Sequence, residues 1–319
     1  MEDFFTIPEK ELRYTARALR KELKARGWTD VKAIRSKMAT LLFATRPDGK
    51  KIRFSPCTPY ETTRFAAVIA DDKNASYNVL KEAGVKQPDT IWLAEDKSKW
   101  RDELADLLSR HKRIVVKPVD GAHGKKVAVD LENVDEALAA AYVCGDGGVI
   151  AQEQLEDDEV EIRAICIGYK FVGAYKRIPA AVEGDGEHSI SELIEIENRV
   201  KRGEAYGEKL AQINAAAAMN YLEKNQIDAN RVPALGEKVR VMKICNSGAG
   251  GTMEYTELDS ERILVAEKIA KAADLPVVGV DYYGDTVLEI NAGPALYHPT
   301  GDEWATNSIK AYVDYLESL

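Results

Sequence analysis

The sequence predicts an α+β protein in which sheets and helices pack in layers. Strand-like and helix-like hydrophobic patterns alternate along the whole chain, glycine and proline turns separate them, and no internal repeat interrupts them. At 319 residues the chain is long enough for two or three packed domains. We expect a small N-terminal α/β unit at residues 1–60, a second region at 61–150 and a third at 151–319.

Composition narrows the functional class. Hydrophobic residues at 45% and charged residues at 30% are ordinary for a globular protein. A net charge of −9 argues against a general nucleic-acid binder. The sequence shows neither an apolar run long enough for a membrane helix nor an apolar signal core, so we expect a cytoplasmic protein. The four dispersed cysteines predict reduced thiols rather than a zinc site.

The N-terminal unit should contain one basic amphipathic helix at residues 9–26 and strands near 37–44 and 51–54. The turn Pro47-Asp48-Gly49 has the residue types of a hairpin between those strands. Residues 61–84 follow a helical pattern that Gly84 ends. The remaining elements are predicted as strands at 113–119, 125–129, 149–153, 161–167, 170–177, 238–244, 277–281 and 286–291, and as helices at 134–142, 189–198, 209–224, 260–273 and the C-terminus.

A cation site is predicted in the pair of strands at residues 277–291. Because side chains alternate along a strand, Glu289 and Asn291 share the face opposite Leu288 and Ile290. A three-residue turn would place Asp281 across from Val287 on that same face. Two carboxylates and an amide oxygen suit Mg²⁺. The alternative is a polar strand face exposed to solvent.

A phosphate site is predicted around Lys117, which lies in an apolar strand and is followed by a loop containing Gly121 and Gly124. A lysine in that position needs an anion, and glycines let backbone N–H groups approach phosphate oxygens. Neither the Walker motif nor the dinucleotide fingerprint is present. A plain hairpin turn is the alternative. The strand that ends in Gln152-Glu153-Gln154-Leu155 is a candidate for reading adenine through main-chain groups.

Taken in order, these segments resemble ATP-grasp ligases, and within them the peptide-forming domains of cyanophycin synthetase and of bifunctional glutathione synthetase. The resemblance spans residues 61–305. The matching strings are Ile69-Ala-Asp-Asp-Lys73, Ile91 after Ala83-Gly-Val85, Val115-Val-Lys-Pro118, Gly121-Ala-His-Gly124, Arg177-Ile-Pro-Ala180, Gly184-Asp-Gly-Glu-His-Ser-Ile-Ser-Glu-Leu-Ile194, Asn246 with Gly250-Gly251, Gly279-Val-Asp281 and Leu288-Glu-Ile-Asn-Ala292.

The resemblance implies an ATP-grasp fold, in which two α+β subdomains clamp ATP, with a phosphate lid in 61–150 and the Mg²⁺ site in 151–319. It implies an ATP-dependent carbon–nitrogen ligase that joins a carboxylic acid, such as an amino acid or peptide, to an amine through an acyl phosphate. The implied cofactors are ATP and Mg²⁺, with Mn²⁺ as a substitute metal. The substrates would be small molecules, with no nucleic acid and no membrane, and a homodimer is compatible with the analogy.

The resemblance also carries residue roles onto this sequence. The implied nucleotide contacts are Lys73, Lys117, Gly121, His123, Gly124, Lys125, Glu153, Gln154, Leu155 and Glu161. The implied metal ligands are Asp281, Glu289 and Asn291. The implied catalytic residues are Arg163, Arg177, Lys243 and Asn246. No catalytic role is predicted for His188, which is expected to order its loop.

This chain departs from the family pattern at Met242, where an arginine is usual, at Ala249 within the glycine-rich loop and at Ala295 after Pro294. These positions lie where the acyl phosphate and the substrate should sit. They motivate a second hypothesis, a nucleotide-binding regulatory or assembly module that has lost ligase chemistry. A third is an ATP-grasp enzyme with a thiol or hydroxyl nucleophile.

Overall fold

The computed structural model describes residues 6–36, 39–120, 126–145, 147–155, 160–203, 210–243, 250–297 and 303–319, the last segment with side chains from residue 307. Its helices are α1 (Tyr14–Ala25), α2 (Arg64–Asp71), α3 (Lys73–Glu82), α4 (Trp100–Arg110), α5 (Val134–Cys144), α6 (Ile190–Arg202), α7 (Ala215–Lys224), α8 (Ser260–Ala272) and α9 (Glu303–Ser318). Among the described residues no helix is long and apolar enough to span a bilayer.

The strands form separate sheets. The N-terminal sheet contains β1 (Thr29–Arg35), β2 (Thr40–Thr45) and β3 (Lys51–Phe54), and a four-stranded sheet has the order β4 (Thr90–Trp92), β7 (Val149–Glu153), β5 (Ile114–Pro118), β6 (Ala128–Leu131). A pair joins β10 (Ala181–Glu183) to β11 (Lys238–Arg240). A five-stranded sheet has the order β12 (Thr252–Thr256), β9 (Lys170–Ile178), β8 (Ile162–Ile167), β13 (Val277–Tyr283), β14 (Thr286–Asn291). The α+β prediction is confirmed.

The five-stranded sheet is covered on both faces. Along β8, Ile165 and Ile167 pack with α1, α9 and the N-terminal sheet, whereas Ala164 and Cys166 pack with α2 and α8 on the other face. This alternation follows from the two-residue period of a strand, and burial on both faces explains why β8 is apolar from Ala164 to Ile167. The four-stranded sheet has its own core with α4 and α5.

Helix boundaries differ from the sequence prediction, most clearly in the first two predicted helices, and α7 begins at Ala215 rather than at 209. The helix expected at 9–26 begins only at Tyr14, because Leu12 has an extended backbone and is 3% exposed. The helix expected at 61–84 is divided into α2 and α3 at Asp72. There the Asp72 side chain accepts hydrogen bonds from the backbone N–H groups of Asn74 and Ala75, so it ends one helix and caps the next.

Several elements were not predicted. They are β1, β4, α4, β12 and β10, the last within a segment expected to be a loop. The turn between β2 and β3 is as predicted: Thr45 pairs with Lys51, and Gly49 has φ of 86°. The α6 start is fixed by a capping box between Ser189 and Glu192, which places the preceding loop beside it.

Candidate functional site

Three charged side chains lie in one row across the five-stranded sheet. Arg163 on β8 is directly opposite Asp281 on β13, and Asp281 is directly opposite Glu289 on β14. Directly opposed residues point to the same face of a sheet. The fold therefore brings one cation and two carboxylates together from segments more than 100 residues apart.

The register of β13 and β14 corrects the predicted turn. The connection is the two-residue turn Gly284-Asp285, not three residues, and Asp281 pairs with Glu289 rather than with Val287. A β-bulge between Asp281 and Tyr282 adds one residue to β14 at this point and restores Asp281 to the face of Glu289. The bulge also turns Val287 into the core and leaves Leu288 beside Glu289 in a cavity.

Asp281 is fully buried and is held by Arg163 through two hydrogen bonds. Arg163 Nε donates to Asp281 Oδ1 and Arg163 Nη2 to Oδ2, both at 2.5 Å. Gly279 leaves room for this contact, because a Cβ there would lie 3.1 Å from Arg163 Cδ. Burial alone would raise the pKa of Asp281, but the charge and hydrogen bonds of Arg163 outweigh burial and lower it.

Arg177 joins Asp281 to Glu161. Its Nη1 donates to Asp281 Oδ2 at 3.2 Å and to Glu161 Oε1. Burial, and then repulsion from Asp281, raise the pKa of Glu161 to about 7, against the attraction of Arg177 and Arg163. Two of the predicted catalytic residues thus lie in one buried network with two predicted ligand residues.

A cavity between the two larger sheets contains both predicted phosphate lysines. Lys73 at the start of α3 and Lys117 on β5 line it, together with Glu289. Gln152, which had been considered only as part of the adenine strand, accepts a hydrogen bond from Lys117 Nζ at 2.8 Å and donates to Thr90 Oγ1 at 2.8 Å. Burial lowers the pKa of Lys117 to about 8, Lys73 adds to the lowering, and Glu289 opposes it.

The three residues predicted to bind a metal ion lie close together and carry oxygen donors of the kind that Mg²⁺ prefers. Asp281 and Glu289 are directly opposite each other on neighbouring strands, so their side chains share one face of the sheet. Asn291 Nδ2 is 3.3 Å from Asp281 Oδ2, which places its amide in the same cluster. Within the described ranges no three His, Cys, Asp or Glu side chains form a ready-made metal site, and this set has two carboxylates and one amide.

The predicted adenine contacts are occupied by protein groups. The backbone N–H of Glu153 donates to Asp89 O, and that of Gln154 donates to Arg113 O. The Gln154 side chain exchanges two hydrogen bonds with Asp130, and the Glu153 carboxylate accepts from the Asp89 N–H. These contacts engage the N–H groups of Glu153 and Gln154, so the predicted reading of adenine by this strand would use their carbonyl groups and Leu155.

Lys243 lies apart from the buried arginine network. Its Nζ donates to Asp130 Oδ1 at 2.8 Å, near Gln154, because β11 ends at Arg240 and the following Met242 turns into a core with α6 and α7. Its catalytic role is not supported by these contacts. Asn246, Gly121, His123, Gly124 and Lys125 lie outside the described residues.

The cavity lies between two antiparallel sheets that carry helices, and Lys73, Lys117 and Glu289 line it. Two α+β units of this kind agree with the ATP-grasp fold that the resemblance implies.

Comparison with known protein families supports the ATP-grasp fold. Residues 70–176 match the ATP-grasp domain family.

Similar proteins and a similar solved structure also point to the ATP-grasp fold. The chain is 28% identical over 250 residues to a cyanophycin synthetase of Crocosphaera subtropica, a match that covers 72% of this chain and 28% of that protein. It is 26% identical over 280 residues to the glutathione biosynthesis bifunctional protein GshAB of Clostridium perfringens, covering 80% and 35%. A crystal structure of a bifunctional glutathione synthetase from Pasteurella multocida superposes with a TM-score of 0.65 at 19% identity, covering 99% of this chain and 46% of that one. The chain thus spans about a third of the length of the curated relatives it matches.

Proposed function

We propose that the chain is an ATP-dependent carboxylate–amine ligase that forms an amide bond through an acyl phosphate and releases ADP and phosphate. The observation that carries this proposal is the shared cavity of Lys73, Lys117 and Glu289, with Arg163 and Arg177 in contact with the carboxylates beyond it. The matched relatives, whose names state synthetase and biosynthesis roles, support the same reaction class.

The residue types agree with the chemistry. A carboxylate resists attack by an amine until it is phosphorylated, and the transferred phosphoryl group needs surrounding positive charge rather than covalent assistance. Lys73 and Lys117 supply that charge from the nucleotide side. Arg163 and Arg177 are permanently protonated and present planar donors, so they would hold the acid substrate and the oxyanion formed during amine attack.

Asp281 neutralises both arginines. Its two oxygens accept from both, and Glu161 accepts from Arg177. An entering substrate carboxylate would compete with Asp281 and Glu161 for the same donors. Glu289, Asn291 and Asp281 would hold Mg²⁺, which supplies charge neutralisation for the triphosphate when bound. We also propose that the protein is cytoplasmic and forms a homodimer.

The test is a screen of carboxylic acid and amine pairs with ATP and Mg²⁺, read by phosphate release and by product mass. We expect phosphate release that depends on both the acid and the amine, and a product whose mass equals the two substrates minus water. ATP binding without phosphate release across the panel would favour the regulatory module, and a thioester or ester product would indicate a different nucleophile.

A matched pair of variants tests the site. Glu289→Ala should lower phosphate release by about 100-fold or more, because it removes an oxygen ligand from the phosphate side of the cavity. Glu254→Ala makes the same change on an exposed position of β12 in the same sheet and should leave turnover unchanged. Normal turnover by Glu289→Ala would remove the metal assignment.

A further inference from the structure

Helix α6 carries two polar side chains on its buried face. Asn198 is 4% exposed and Lys201 is 3% exposed, and residues three apart lie on the same side of a helix. Ile190 and Ile194 continue that face into the core with α7 and β11. An amide and an ammonium at core positions cost free energy unless they are hydrogen-bonded, so their partners show what they do.

Both side chains bind main-chain atoms of other segments. Asn198 Nδ2 donates to Ile213 O at 3.0 Å, and Asn198 Oδ1 accepts from Ile213 N at 2.7 Å. Lys201 Nζ donates to Gly250 O at 2.6 Å and lies 3.3 Å from Glu197 Oε1. One face of α6 therefore fixes two chain segments that are 37 residues apart in sequence.

The two segments also touch each other. Gly250 has φ of +90°, and a Cβ there would lie 2.8 Å from Ile213 Cγ1 and 2.9 Å from Ile213 Cα and N. Only glycine allows the backbone to approach this closely in that conformation. Asn198 fixes Ile213, Ile213 packs against Gly250, and Lys201 holds the Gly250 carbonyl from the other side, so the position of Gly250 is determined by α6.

Gly250 leads directly into the strand next to Arg177. Two residues later β12 begins, with Thr252 opposite Ile178 and Met253 opposite Arg177. Arg177 in turn donates to Asp281 and Glu161. The register of β12 against β9 thus depends on where the chain leaves Gly250, and it borders an arginine of the candidate site.

We propose that Lys201 is a positioning residue for the candidate active site. It holds Gly250 so that β12 stays in register beside Arg177, and it does so from a buried position without touching substrate. The effect on turnover rests on the proposed ligase function, whereas the effect on the Gly250 segment does not. Without Lys201 the buried Gly250 carbonyl would lose its donor, so the largest effect is expected in the segment that this carbonyl anchors.

The direct test is Lys201→Met, which keeps the length of the side chain and removes its donors. Amide hydrogen exchange in residues 250–256 should become at least about tenfold faster, since the Gly250 carbonyl loses its anchor. In the ligase assay kcat should fall about tenfold or more, whereas KM for ATP should change less than about twofold. A large change in kcat with a small change in KM is expected because Lys73 and Lys117 line a cavity to which neither α6 nor β12 contributes a residue.

Two further variants and one control variant complete the test. Lys201→Gln retains a shorter donor and should recover part of both losses, and Gly250→Ala should speed the same exchange by forcing Gly250 away from Ile213. Lys271→Met, the same substitution at an exposed position of α8, should change neither quantity. If Lys201→Met leaves exchange at 250–256 as in the unaltered chain, the proposal is wrong. If the unaltered chain lacks ligase activity while exchange responds as expected, only the proposed function fails.

Discussion

The contact between Arg163 and Asp281 should be the most expensive single hydrogen-bonded pair to disturb in the candidate site. Asp281→Asn keeps the shape of the side chain but removes its charge and places an NH₂ group against one Arg163 donor. Asp281 is 0% exposed and its Arg163 bonds are both 2.5 Å, so the arginine would be left buried with an incomplete partner. Breaking a buried pair in this way costs about 3–5 kcal/mol.

The matched control is Asp285→Asn in the turn of the same β-hairpin. Asp285 also accepts from a cation, Lys86 Nζ at 2.7 Å, but the two side chains are 73% and 64% exposed. Exposed ion pairs contribute less than about 1 kcal/mol. The free energy of unfolding of both variants would be measured by urea titration followed by tryptophan fluorescence. Equal losses for the two variants would refute the argument that burial sets the cost.

The same pair fixes a pH dependence. Because the folded-state pKa of Asp281 is lowered, its contribution to stability is complete above the unfolded value of about 4 and is lost as the pH falls through the folded value. The acid side of the stability curve should therefore be shallower in Asp281→Asn than in the unaltered chain. An unchanged acid side would mean that Asp281 does not titrate differently on folding.

Two further predictions concern the loop before α6 and Gly184 within it. His188 Nδ1 lies 2.6 Å from Asp185 Oδ2, and this hydrogen bond raises the pKa of His188 above 6.5. An NMR titration of His188 should show the raised pKa, and Asp185→Asn should return the pKa to its usual range. Because the folded-state pKa of His188 is raised, the stabilisation from this contact is complete below pH 6.5 and is lost as the pH rises through the folded-state pKa. Gly184→Ala would place a Cβ 2.2 Å from Ala234 O and should lower stability by about 1–3 kcal/mol, whereas Gly147→Ala meets no atom within 4 Å and should cost much less; thermal unfolding of the two variants compares them.

Much of the sheet that bears the site was predictable because its strands are local hydrophobic patterns. The strands at 149–153 and 286–291 have the predicted bounds, and Asp281, Glu289 and Asn291 do meet. The way they meet was not predictable. The turn is one residue shorter than predicted, and the β-bulge in β14 restores Asp281 and Glu289 to the same face. Such a bulge depends on the tertiary packing of Val287 and Leu288 rather than on a local sequence signal.

Partners from distant segments could not be predicted from the sequence. Asp89 and Arg113 approach the predicted adenine strand from elsewhere in the chain and accept hydrogen bonds from its N–H groups. Gln152 was not recognised as the partner of Lys117 because strand pairing, which sequence alone did not provide, places the two together. Lys201 did leave a signal: it continues the apolar face of α6, where a lysine requires a buried acceptor.

The central claim is that the cavity of Lys73, Lys117 and Glu289 binds the triphosphate of ATP, and calorimetric titration with ATP and Mg²⁺ tests it most directly. We predict saturable binding to the unaltered chain, weakened at least about tenfold by Lys117→Met, since one charge-assisted contact is removed. Lys112→Met, the same change at an exposed residue just before β5, should bind as the unaltered chain does. Absence of ATP binding, or equal affinities for both variants, would contradict the account.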